Sequence, residues 1–365
     1  MNNKKKVYLI FHPSHGRTGT TWLQEYVLPQ TSVLNLGKSK LDDKIKENAY
    51  QEIKLKQSKV FSSAKSQHTF FYRYRNSWHD IVEYADIIYK RILDHFDNDR
   101  NINDLLCIIS DETIFGYGGL EVNSPLLVSL MKNLENKLSK NEIEIEMSIN
   151  ITIREQIDFL CSNFRYDYAN KKMKFSSFKK FLYFGVKNTE KNIFGQIMYW
   201  EQYSFLRSIL PQRYSINLVF YELLKEDPIK YLQSFFCRIP KTLNIHNEIN
   251  NIELNQVINA NKGSNGQYYI KDNHPISSFL KKIRDFYSEK LNSNRNKKYI
   301  IILKKIFKFL NLKRLLNMKK YTKLHVNEDD RKNLKKLKAI YSQSNNELSQ
   351  LLPKENLIKF DYIRK

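Results

Sequence analysis

The feature that most constrains the fold of this 365-residue chain is a short apolar run, a glycine-containing loop and a helical pattern in immediate succession near its start. Val7 to Phe11 is uninterruptedly apolar and ends at His12-Pro13, the signature of a strand buried on both faces. After Pro13 to Gly19 the spacing predicts a helix over 20–28, with Trp22 and Tyr26, and Leu23 and Val27, paired four residues apart. Pro29 stops it.

Further short apolar runs alternate with helical stretches. Leu105–Ser110 reads as a second strand ending in Asp111-Glu112, Ile145–Ile153 as a third and Ile216–Tyr221 as a fourth. Strands alternating with helices predict an α/β fold: a three-layer, P-loop-like parallel sheet flanked by helices, with a helical cap and a C-terminal helical extension. The expected division is a core over 1–275 with an aromatic-rich capping segment at about 40–100, a basic insertion over 276–326, and a closing helix over 327–365. Asn327 followed by Glu328, Asp329 and Asp330 supplies the cap and acidic first turn of that helix.

Charge sets the class of partner. With 61 Lys and Arg against 38 Asp and Glu, the formal charge is +23, and the chain attracts anions of every kind. Residues 281–323 hold 15 Lys/Arg against Asp285 and Glu289, with Leu303, Ile306, Phe307 and Leu310 on one helical face. This stretch is read either as a solvated basic helix or as a surface that meets an anionic membrane. No nucleic-acid partner is expected, because aromatics are few there and no nucleic-acid fold signature accompanies them. Only five apolar residues follow the N-terminal lysines, too few for a signal-peptide core, and no run approaches the ~18 apolar residues of a membrane span. A cytoplasmic protein is expected, with association at the membrane face as the alternative. Cys107, Cys161 and Cys237 are far apart and form no metal spacing, so no metal site is expected.

The chemistry is concentrated in His15-Gly16-Arg17-Thr18-Gly19-Thr20-Thr21-Trp22. A loop between a buried strand and a helix offers backbone N–H groups and a positive helix end to a phosphate. Gly16 and Gly19 allow a close approach, the threonines add hydroxyls, and Arg17 adds a forked cation. No Lys precedes the threonines, so this is no Walker A loop, and the dinucleotide fingerprint is also absent. His12 and His15 flank the loop as structural or nucleotide-adjacent residues.

Arg17-Thr18-Gly19-Thr20-Thr21-Trp22 resembles the 5′-phosphosulfate loop of sulfotransferases that use 3′-phosphoadenosine 5′-phosphosulfate (PAPS), and the likeness is to bacterial, carbohydrate-type members. The resemblance implies that Gly16, Thr18, Gly19, Thr20 and Thr21 surround the 5′-phosphate. It implies also that Trp22 lies against the adenine and that Arg17 is the transition-state cation. The family's second signature is a strand ending in Arg with Ser eight residues later, both on the 3′-phosphate. Here Arg154 ends the third strand and Ser162 lies eight residues on, about two helical turns. Tyr221-Glu222 with Asp227-Pro228 resembles a structural segment of the family. Lys262-Gly263 resembles part of a loop that closes on the 3′-phosphate, with Asn261 where the family has Arg. Tyr341–Leu348 with Phe360-Asp361-Tyr362 resembles its closing helix. The implied reaction is sulfuryl transfer to a hydroxyl, on a saccharide or glycolipid, leaving adenosine 3′,5′-bisphosphate (PAP) and needing no metal. Glu112 is the expected base and His68 the second choice. The rival readings are a P-loop-like nucleotide kinase and a non-catalytic basic protein that binds nucleic acid or membrane.

Overall fold

The computed structural model describes residues 4–16, 18–37, 78–99, 101–111, 119–169, 175, 177–190, 192–253, 269–273, 319–323 and 326–363. By contact the chain divides into two compact units. The first comprises Met1–Phe159, Gly185–Ala260 and Lys336–Lys365; the second comprises Leu160–Phe184 and Asn261–Lys335.

The first unit is built on an open, five-stranded, wholly parallel sheet. Its strands are β1 (Lys6–His12), β2 (Leu34–Asn35), β3 (Asp104–Ser110), β4 (Glu144–Ile153) and β5 (Ser215–Phe220), in the order β2-β3-β1-β4-β5. In register, Leu9 lies beside Cys107 on one side and Met147 on the other, at the centre of the sheet. Every strand expected from an apolar run is present, within one residue at either end.

Both faces are covered, which is why β1 and β3 are apolar without alternation. Tyr8 and Ile10 of β1 join Leu106, Ile108 and Val219 in a core completed by residues of the helical stretches after β1 and β5. Val7, Leu9 and Phe11 alternate to the opposite face and are equally buried. Helix α1 (Thr20–Trp22) does not continue as expected: it widens into a π-helix over Leu23–Val27 and tightens to a 3-10 turn over Leu28–Gln30. Pro29 has no N–H for the carbonyl of Glu25, and the changed pitch relieves the break.

Helix α2 (Trp78–Asn98) buries Ile81, Tyr84, Ile88, Ile92 and Phe96 and packs beside α3 (Gly119–Ser139). Helix α4 (Gln156–Ala169) follows β4; α5 (Phe178–Lys187), the short α6 (Asn192–Gly195) and α7 (Tyr199–Ile209) precede β5. After β5 come α8 (Tyr221–Glu226), α9 (Pro228–Phe235) and α10 (Ile245–Asn250). Asp227 caps α9, accepting from the Lys230 N–H at 3.1 Å, with Pro228 at the first helical position. The chain returns through α11 (Glu328–Glu347) and α12 (Lys354–Lys359). In the first unit Asn345, Phe360, Tyr362 and Ile363 are buried, so the closing segment is part of the core.

Within the second unit, Phe164 packs on Phe178 and Phe181 at 4.9 and 5.4 Å between ring centroids. Strands β6 (Tyr269–Asn273) and β7 (Lys319–Lys323) pair antiparallel there. The expected capping residues 40–77 and insertion residues 281–318 lie outside the described residues. No helix among the described residues is long and apolar enough to cross a membrane.

Candidate active site

The strand order locates the site. The chain leaves β1 toward β2 on one side of the sheet, and leaves β4 toward β5 on the other. The crevice outside the carboxyl ends of β1 and β4 is therefore the topological switch point, where parallel sheets take ligands. The loop 13–19 follows β1, and Arg154 follows β4.

A polar network beneath the loop sets its shape. His12, fully buried at the end of β1, bonds through Nδ1 to Ser110 Oγ at 2.9 Å and through Nε2 to Thr152 Oγ1 at 3.1 Å and to Ser14 Oγ. Gln24 donates to the Ser110 carbonyl at 3.0 Å, and Thr152 shares a 2.9 Å hydrogen bond with the Tyr231 hydroxyl. One imidazole thus ties together β1, β3, β4 and the start of the loop. Burial pushes its pKa down to about 3. His15 is likewise driven to about 4 by burial, with hydrogen bonds to Gln202 and the Gln196 backbone partly opposing the shift. Both rings are neutral at pH 7.

The Thr18 hydroxyl turns inward and donates to the His15 carbonyl at 2.5 Å, so it shapes the loop. Gly19 has a left-handed backbone, φ 83°, and a Cβ there would collide with Leu224 Cδ2 and lie 3.6 Å from Tyr221 Cε2. The left-handed conformation favours glycine, and a Cβ would also have to displace the buried Leu224 methyl. Thr20 is buried and Thr21 exposed. Trp22 sits in the hydrophobic core, edge-on to Tyr231 at 6.3 Å, and anchors the helix behind the loop.

Arg154 closes the other side. Its guanidinium lies over the Tyr221 ring at 4.7 Å, with Nε 2.9 Å and Nη2 2.8 Å from Asp158 Oδ2. Burial works against the charge, but Asp158, with Tyr221 and Glu222, more than restores it, so the Arg154 pKa is raised. The Asp158 carboxyl is held below its ordinary range, because Arg154 and Lys225 outweigh its own burial. Two cations share one carboxylate there, with Lys225 Nζ 3.1 Å from Asp158 Oδ2. Gly19 and Arg154 therefore both lie against Tyr221, with Leu224 beside Gly19.

The acidic side is structural. Glu222 accepts from the Glu155 N–H at 2.9 Å and from the Tyr362 hydroxyl at 3.1 Å. Glu155 accepts from the Asp158 N–H at 2.7 Å, and burial pushes its pKa up to about 7. Asp111 is buried at the end of β3, its N–H on the His12 carbonyl at 3.2 Å.

The structure thus brings the loop and Arg154 together. Ser162 is half-buried in the part of α4 that belongs to the second unit. Arg17, His68, Glu112, Lys262 and Gly263 lie outside the described residues, and no metal-binding cluster occurs among the described ones. Missed from the sequence was the first turn of α7, where Tyr199 and Gln202 touch both Arg154 and His15; their residue types and spacing carry no signal that distinguishes them from ordinary helix residues.

No protein-family model matches this chain, and no curated protein matches it. Among solved structures it is similar to the sulfotransferase domain from the curacin biosynthetic pathway, with 13% identity and a TM-score of 0.31 over 66% of this chain and 76% of that one. The functional reading rests on the residues themselves.

Proposed function

We propose that this protein is a sulfotransferase that moves the sulfuryl group of PAPS to a hydroxyl, on a saccharide or glycolipid acceptor. The observation that carries the reading is a shared contact: a left-handed glycine loop and a buried, charged arginine both lie against Tyr221 at the switch point of a parallel sheet. A nucleotide phosphorylated at both ends of its ribose needs two such anion sites. The loop is assigned to the 5′-phosphosulfate, and Arg154 with Ser162, Lys262 and Gly263 to the 3′-phosphate.

In the reaction the acceptor oxygen forms a bond to sulfur as the bond from sulfur to the 5′-phosphate oxygen breaks. The acceptor's proton passes to a base, for which Glu112 is the assignment, and the charge on the leaving phosphate is met by Arg17. The logic is that of phosphoryl transfer, in which positioning and charge stabilisation dominate. Residues 281–323 are assigned to an anionic membrane face near the acceptor; flotation that does not depend on anionic lipid would end that assignment.

Thermal unfolding with PAP, AMP and ATP tests the donor site. At 100 times its dissociation constant PAP adds about 2.7 kcal/mol, and the increment collapses in Arg154→Ala. Equal shifts with ATP would favour a kinase, and no shift with any nucleotide would leave a basic surface binder.

A further inference from the structure

Two anion sites select a bisphosphate only if the distance between them is fixed, and one helical turn in the first unit touches both. Tyr199 and Gln202, three residues apart at the start of α7, share a face of the helix. The Tyr199 hydroxyl accepts from the Arg154 N–H at 3.1 Å and donates to the Arg154 carbonyl at 2.7 Å. It therefore clamps the peptide groups on either side of the Arg154 Cα. The same ring stands 6.4 Å from the His15 ring. Gln202 reaches the other site, with its Nε2 3.5 Å from the His15 ring Nε2, while the His15 backbone carbonyl accepts from the Thr18 hydroxyl.

The turn is itself immobilised. Tyr199 and Gln202 are buried, Tyr199 packs on Tyr362 at 6.4 Å, and the Gln156 side chain donates to the Ile197 carbonyl at 3.2 Å. Gln202 keeps its N–H on His15 although its Oε1 is buried with no partner among the described residues. A buried acceptor left in that state is costly, which argues that the contact with His15 is what the residue is there to make.

We infer that Tyr199 and Gln202 are positioning residues: they set the spacing between the glycine loop and Arg154 and so select a nucleotide phosphorylated at both the 5′ and 3′ positions over a 5′-monophosphate. This rests on the reading of those two elements as the ends of one donor site. Neither residue touches the reacting atoms.

The test is the ratio of AMP to PAP dissociation constants, measured calorimetrically on the full chain. Tyr199→Phe keeps the ring and removes the clamp; the ratio falls about tenfold, the scale of one hydrogen bond to a charged group, with AMP affinity held within about twofold. Gln202→Leu, which leaves both Arg154 backbone bonds in place, lowers the ratio in the same sense and carries the test if Tyr199→Phe does not fold. Tyr362→Phe removes a buried hydroxyl from the same ring cluster, and it lowers the melting temperature without changing the ratio.

A wild type that prefers PAP, with the ratio unmoved in both variants, would overturn the positioning role alone. Losses of PAP and AMP affinity in parallel would make the two residues merely structural and overturn it equally. A wild type with no preference for PAP would overturn the donor-site reading, and this inference with it.

Discussion

His12 and His15 are neutral beneath the loop, their pKa values lowered from 6.5 to about 3 and about 4 by burial, and Glu155 at the start of α4 is raised from 4.5 to about 7. The linkage signs oppose each other. The histidines hold fewer protons folded than unfolded below pH 6.5, so their contribution is complete above that pH and is lost as pH falls toward their folded values. Glu155 holds more protons folded than unfolded, so its contribution is complete below pH 4.5 and is lost as pH rises through about 7. Between pH 4.5 and 6.5 the carboxyl masks part of the acid lability of the histidines. Glu155→Gln therefore steepens the fall of stability in that window by up to about 1.4 kcal/mol per pH unit, read from urea unfolding at several pH values. An unchanged slope would mean that Glu155 ionises there as it does in the unfolded chain. Gly19 carries a second prediction at this scale. Its left-handed backbone and the Leu224 methyl behind it make Gly19→Ala cost on the order of 2 kcal/mol, with loss of PAP affinity. A variant that keeps normal affinity would show that the loop can be rebuilt without glycine.

At the scale of elements, the closing segment is part of the core of the first unit. Phe360, Tyr362 and Ile363 are buried; the Tyr362 hydroxyl meets Glu222, and its carbonyl accepts from Asn345 at 3.0 Å. Truncation after Lys359 removes these groups and takes one partner each from Glu222 and Asn345, which keep their bonds to the Glu155 N–H and the Gln156 side chain, at a cost of at least about 3 kcal/mol in chemical unfolding. A truncated chain of native stability would show that the segment only covers the core. Strands β1, β3, β4 and β5 are legible in the sequence because runs of continuous or alternating apolar residues reflect burial directly. Strand β2 is not, since its two residues are made a strand only by Cys107 and Ile108 beside them. The π-helical turn after the loop is also hidden, because it answers a proline together with a long-range bond from Gln24 to β3. In the site, Gly19 and Arg154 are legible because backbone freedom and charge are properties of residue type. Tyr199 and Gln202 are not, because what they do is decided by what folds against them.

For the whole molecule, the charge of +23 sets how stability responds to salt. Many of the ion pairs bridge exposed side chains, as in Lys4–Glu144, Lys332–Glu328 and Lys179–Asp329, and exposed pairs contribute little net stability. Repulsion among the remaining cations is the larger effect, and it is screened beyond a Debye length of about 8 Å at physiological ionic strength. Raising sodium chloride from about 20 to about 300 mM therefore increases the melting temperature; a decrease would show that the ion pairs dominate. Sulfate adds a site-specific increment. It has the charge and the oxygen geometry of the phosphate groups proposed above for the loop and Arg154, whereas chloride accepts hydrogen bonds at a single centre. At equal ionic strength sodium sulfate stabilises the protein beyond sodium chloride by on the order of 1 kcal/mol, as expected for a ligand a few times above its dissociation constant. Sulfate also stabilises proteins generally by exclusion from their surfaces, and that part survives any substitution. The site-specific part disappears in Arg154→Ala, whose response to chloride matches the wild type. An equal sulfate increment in both proteins would place the anion elsewhere on the basic surface and separate the molecule's charge from the chemistry of its crevice.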